Sequence, residues 1–287
     1  MGKKTTLTLL FLGLLILVNG QNVDSVSYTF RLNGLGTISQ KISFLSPIKY
    51  TGVNTSYDWG RFRQINNKFL TKNLYFNFAL TFNGNDQNTN IENPEERPIP
   101  LGIYSFNYGY LFNKRYSILH NHLPKKAPLI SLGWSYWLDA GLDIKPFNVN
   151  NPFYYNLNNM AGLSLGLKKR VNIKKVQLDI SNEFTLPLFG IYAATRYSSS
   201  LPYSTIVDDT SFWDAFQIGS FQTNFQFRNN LNLDFTIPGK KKNVKHTFRF
   251  QYGINYANLR VNNNQKIQAT HIFKLGYLFN SSRYVHK

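Results

Sequence analysis

Large apolar residues recur at every second position over most of this chain. Leu74, Phe76, Phe78, Leu80 and Phe82 alternate with Tyr75, Asn77, Ala79 and Thr81. The same beat runs through Tyr104–Phe112, Ile130–Leu138, Ala161–Leu167, Val176–Ile180, Phe221–Ile237, Phe248–Tyr256 and Phe273–Phe279. A β-strand has a side-chain period of two, so each segment predicts a strand with one greasy face and one wet face. Near the start, Val26, Tyr28, Phe30 and Leu32 alternate with Ser27, Thr29 and Arg31, which puts Arg31 on the wet face.

The connections fall into two kinds. Lys169–Asn172 and Pro238–Asn243 are short and basic. The stretches Gly84–Pro100, Asp139–Pro152 and Gly190–Asp214 are long, and two of them carry Asp86, Glu92, Glu95, Glu96, Asp208 and Asp209. Short turns at one end and long loops at the other are the habit of outer-membrane barrels. The strand spacing predicts an all-β, closed antiparallel transmembrane β-barrel of about 10–12 strands, with both termini in the periplasm. The higher total requires a separate strand within Gly36–Leu45.

The competing fold is a soluble β-sandwich, which buries its greasy face in a core. Its solvated face would be rich in Lys and Glu. Here the wet face is mostly Ser, Gly, Asn, Gln and Thr, as in Gly162, Ser164 and Gly166, with a few charges of both signs. That composition suits a crowded concave lumen, with the rings turned to lipid. Closure also removes exposed strand edges.

Composition sharpens the choice. Of 287 residues, 16% are aromatic, and the charged fraction is also only 16%, low for a soluble domain. The mean hydropathy of −0.30 indicates no helical membrane protein. Cysteine is absent, which excludes a disulfide scaffold, a thiolate metal site and a lipoprotein anchor. Residues 1–20 read as a secretory signal peptide: Lys3 and Lys4, an apolar run from Leu7 to Val18, and small residues at Val18 and Gly20. The barrel would then occupy residues 21–287. The formal charge of +18 would suggest nucleic acid in a cytosolic chain. In an exported chain it points to outer-membrane lipids and lipopolysaccharide phosphates, with no nucleic-acid partner. An aromatic-rich last strand suits handling by the barrel-assembly machinery, although Phe279 is not terminal.

The segment Phe44-Leu45-Ser46-Pro47-Ile48-Lys49-Tyr50-Thr51-Gly52 resembles the opening of a family of Bacteroidetes outer-membrane barrels, in which Leu-Ser-Pro-x-x-Tyr-x-Gly leads into an early strand. The resemblance implies an outer-membrane β-barrel and brings no activity with it. Pro47 would also serve simply to end a loop.

Chemistry is sparse. His120 and His122 lack a third ligand nearby in sequence, and His246 and His271 are not placed like catalytic bases. No catalytic, cofactor-binding or metal residues are expected, and the chain is not expected to be an enzyme. The residues of interest are inward charges: Arg31, Arg228, Arg249 and Lys274, opposed by Asp179 and Glu183. Two carboxylates on one strand face can do acid–base work, but more often they pair with lumenal Arg and Lys. Charged rings set ion preference in pores, so one expectation is a narrow channel or binding site for small polar or anionic solutes. Inward Tyr75 and Trp137 would narrow it. The alternative is a filled scaffolding barrel whose long loops bind a partner. A lipid-modifying enzyme is a remote third.

Overall fold

The computed structural model describes residues 26–43, 45–65, 67–83, 102–118, 128–146, 153–173, 176–194, 216–238, 245–261 and 264–280. Residues 1–20, read above as a signal peptide, together with Asp86, Glu92, Glu95, Glu96, Asp208, Asp209, His120, His122 and Lys240–Lys242, lie outside the described residues. The strands are β1 (Val26–Ile42), β2 (Tyr50–Ile65), β3 (Lys68–Phe82), β4 (Gly102–Ser117), β5 (Leu129–Ile144), β6 (Phe153–Ile173), β7 (Val176–Ala194), β8 (Phe216–Ser220), β9 (Asn224–Pro238), β10 (Lys245–Val261) and β11 (Asn264–Asn280).

All of them belong to one antiparallel sheet that closes on itself, because β11 returns to pair with β1 and β6 pairs with β7. Both β8 and β9 lie along β7. They are one stave interrupted by the turn at 221–223, so the barrel has ten staves. The Ser220 amide donates to Thr223 Oγ1 (3.0 Å), closing the turn. The Arg260 amide on β10 donates to the Thr223 carbonyl (3.1 Å), so the neighbouring strand stays bonded across the break. An even number of staves leaves the chain ends together, with Tyr28 opposite Asn280. We call this the terminal end and the opposite one the loop end.

Three expectations about where strands begin and end change. No separate strand occupies Gly36–Leu45: β1 is continuous to Ile42, which settles the count at ten rather than twelve. Lys169–Asn172 is not a turn but the end of β6, which with β7 forms a long hairpin. Asp139–Ile144 and Gly190–Ala194 are strand rather than loop, in β5 and β7.

Two faces alternate along every stave. For β3 to β7 and β9 to β11 the rings turn outward, as the pattern predicts: Phe76, Phe106, Trp134, Phe250 and Phe273 are all exposed. β1 is inverted. Phe30 and Leu32 are 3% and 1% exposed and point inward, whereas Leu35 is 63% exposed. Arg31 therefore faces outward, its guanidinium 6.0 Å from the Phe279 ring. The cause lies in the neighbouring strands. Phe30 sits opposite Gly60, and Leu32 opposite Gly276. A Cβ on Gly60 would strike the Phe30 ring, and one on Gly276 would strike Leu32. Adjacent glycines leave room inside for β1's large side chains, and Leu278 and Tyr28 pack around them.

The loop end is closed by an apolar cluster of Ile42, Leu45, Tyr50, Ile103, Tyr154 and Tyr192, drawn from β1, β2, β4, β6, β7 and the β1–β2 connection. That connection folds back over the mouth. The amides of Leu45 and Ser46 both donate to the Ile42 carbonyl (3.0 and 2.9 Å). The Tyr50 hydroxyl donates to Ser46 Oγ (3.1 Å).

Candidate functional site

The lumen collects the negative charge of the described residues. Among the described residues every carboxylate, namely Asp58, Asp139, Asp143, Asp179, Glu183 and Asp234, has inward strand parity. Their partners reach them from neighbouring and from opposing staves.

Beneath the apolar mouth, Lys266 of β11 spans the barrel to Asp143 of β5 (2.6 Å) and also donates to Asn156 Oδ1 (3.3 Å). Gln40 of β1 donates through Nε2 to Thr81 Oγ1 and Ser105 Oγ of β3 and β4, both at 3.0 Å. Further along the axis, the Arg228 guanidinium of β9 stacks on Tyr75 (4.3 Å) and Trp137 (5.1 Å), which project from β3 and β5. The Tyr75 hydroxyl donates to Asp139 Oδ1 (3.0 Å), which fixes the ring that holds the cation. Gly109, opposite Tyr75, is required there, because a Cβ would overlap that ring.

Nearer the terminal end, Lys274 binds both oxygens of Asp58 at 2.8 Å, and Asn73 Nδ2 donates to the same carboxylate (3.0 Å). Arg115 reaches Glu183 (2.6 Å) across two staves. Arg249 forks onto Asp234 through Nε and Nη2, both at 2.7 Å, and donates to the Tyr28 hydroxyl (2.9 Å). On the β6–β7 hairpin, Arg170 forks onto Asp179 at 2.7 and 2.9 Å, with Lys168 at 3.3 Å. Planar two-point contacts of this kind are the strongest class of ionic hydrogen bond.

Of the charges expected to line the lumen, Asp179, Glu183, Arg228, Arg249 and Lys274 do face it. Arg31 does not, for the reason given by β1. Every one of the five is bonded or stacked, so the lumenal charge is cross-linking rather than a free ring. Sequence reasoning missed Asp58, Arg115, Asp139, Asp143, Arg170, Asp234 and Lys266. The signal was present: carrying the two-residue beat past Trp137 puts Asp139 and Asp143 inward, and carrying it past Leu111 does the same for Arg115. His271 shares the outward parity expected of it and bonds Tyr252 (2.8 Å).

A lumenal cavity of about 70 Å³ is bounded by Tyr75, Trp137, Arg228, Asn54, Asn255 and Thr270. Arg228 Nε, Trp137 Nε1, Asn54 Oδ1, Asn255 Oδ1 and Thr270 Oγ1 have no protein partner there. A mixture of donors and acceptors in a space of this size suits a few ordered waters.

No family model matches the chain, and no curated protein matches it. Among solved structures it is similar to the outer-membrane protease OmpT from Escherichia coli, at 8% identity and a TM-score of 0.48, over 92% of this chain and 99% of that one. It is similar also to the translocator domain of the autotransporter NalP from Neisseria meningitidis, at 9% identity and a TM-score of 0.38, over 96% and 94% of the two chains. The β domain of the Bordetella autotransporter BrkA gives 10% identity and 0.38, over 88% and 99%. The expectation that the chain is not an enzyme does not stand: one of these similar barrels is a protease. What this chain shares with them is the closed antiparallel barrel.

Proposed function

We propose that the chain is an outer-membrane barrel whose lumen is filled by its own side chains, and that it works by holding its outer wall and loops at the membrane. The ring-rich outward face supports membrane residence. Exposed Phe, Trp, Leu and Ile on nearly every stave would be a severe aggregation hazard in water and are the normal boundary with acyl chains. On this reading both termini lie in the periplasm and the long connections lie outside.

The observation that carries the filled-lumen reading is Arg228 held between Tyr75 and Trp137 across the bore. A desolvated cation on two ring faces is worth about 2 kcal/mol or more. The pairs Lys266–Asp143 and Arg115–Glu183 tie non-adjacent staves on either side of it. A permeating ion would have to break these contacts in turn. Planar-bilayer recording tests this directly, with heat-modifiable gel migration to show that the protein is folded. Folded protein is expected to give no steady conductance. A steady conductance whose ion selectivity shifts in Arg228→Glu or Arg249→Glu would overturn the filled lumen and restore a channel.

A further inference from the structure

The outer wall near the terminal end carries basic residues that no carboxylate among the described residues pairs with. Arg61 on β2 lies directly opposite Lys72 on β3. One row nearer the end, Arg63 faces Leu70, and Leu70 faces Lys114 of β4. Lys68 follows, opposite Tyr116. Like charges directly opposite one another on a sheet are destabilising. The described carboxylates do not relieve them, since all of them face the lumen.

Aromatic rings interleave with the cations. Lys72 Nζ stands 6.0 Å from the Phe112 ring, and Lys68 and Lys114 stand 5.9 and 5.6 Å from Tyr116. Rings of this kind sit at the head-group level of a bilayer. Arg61 and Lys72, as facing residues, have Cβ atoms about 5 Å apart, a separation one phosphate can bridge.

We infer that this face of β2, β3 and β4 is a binding site for an anionic glycerophospholipid of the leaflet at the terminal end. The phosphodiester bridges Arg61 and Lys72, with Lys114 beside it and the acyl chains on the rings above. The inference rests on the membrane reading proposed above. A counter-anion here relieves a repulsion within the protein, so binding is selective for charge rather than a general affinity for lipid. A free phosphate offers the same charge without the acyl contacts.

The test is native mass spectrometry of the full chain, refolded in neutral detergent and titrated with phosphatidylglycerol or phosphatidylcholine. Phosphatidylglycerol adducts are expected to exceed phosphatidylcholine adducts by about tenfold at low salt and to weaken as salt rises. The triple variant Arg61→Gln/Lys72→Gln/Lys114→Gln is expected to lose that preference. Lys41→Gln/Arg260→Gln, altered at the loop end, is expected to keep it. Equal binding of the two lipids, or an unchanged preference in the triple variant, overturns the site while leaving a heat-modifiable barrel intact. Displacement of the lipid by millimolar inorganic phosphate also overturns it, by showing a bare anion site. Failure of the chain to give a heat-modifiable form in micelles overturns the membrane reading and this site with it.

Discussion

At the scale of single residues, the lumen is a place where ionic pairs hold only as pairs. Lys266 and Asp143 are 2% and 1% exposed, so neither charge has water to fall back on. Removing one partner from such a pair costs about 3–5 kcal/mol, mostly because the other is left buried and uncompensated. Asp143→Leu is expected to lose stability on that scale in urea unfolding of vesicle-folded protein followed by tryptophan fluorescence. Asp143→Leu/Lys266→Met is expected to recover most of the loss, since two apolar side chains of similar size need no partner. A double variant no better than the single would show that the pair is not an isolated unit. Tyr75 makes a second case. Its ring holds Arg228 only because Gly109 leaves the space. Gly109→Val is expected to displace the ring and free the guanidinium, at about 1–3 kcal/mol of overpacking cost.

At the scale of the strand, a period of two says that faces alternate and leaves open which face is inside. For most staves composition supplied the answer, because Phe and Leu stood against Ser, Gly and Asn. β1 offered Phe30 and Leu32 against Thr29 and Arg31, the same contrast, and was inverted. What fixes its orientation is register: Asp58 of β2 and Lys274 of β11 flank β1 and meet across Gly34 and Leu32. That pairing belongs to three strands together and is not written in any one of them. The same limit hides the contact between Lys266 and Asp143, which joins opposing staves, although the inward parity of Asp143 is local. The fold, in contrast, was legible, because alternation is local. Spin labels test the inverted strand. The protein has no cysteine, so single substitutions give single labelling sites. Labels at Leu35→Cys and Thr37→Cys are expected to show oxygen-accessibility maxima in vesicles, and a label at Ile38→Cys a minimum. The opposite phase would return Arg31 to the lumen.

At the scale of the whole molecule, closure of the bore rests on two unlike obstructions in series. At the loop end an apolar cluster around Tyr50 and Tyr154 excludes water. At mid-height Arg228, held against Tyr75 and Trp137, narrows the section to a small polar cavity with a bound cation at its wall. The two share no side chain, so each can be lost without the other. Resistances in series add, and the narrower step alone limits the current. Arg228→Ala is therefore expected to leave the barrel electrically silent, because the mouth stays shut. Tyr50→Ala/Tyr154→Ala is expected to be silent as well, because Arg228 still blocks the middle. Only the three substitutions together are expected to give steady conductance in planar bilayers, provided the variant still migrates as a heat-modifiable form. Conductance from Arg228→Ala alone would mean that the mouth cluster opens in the membrane, and mid-height would then be the sole gate. Silence in the combined variant would place the decisive barrier among the pairs nearer the terminal end, where Arg249–Asp234 and Arg115–Glu183 still tie the staves together.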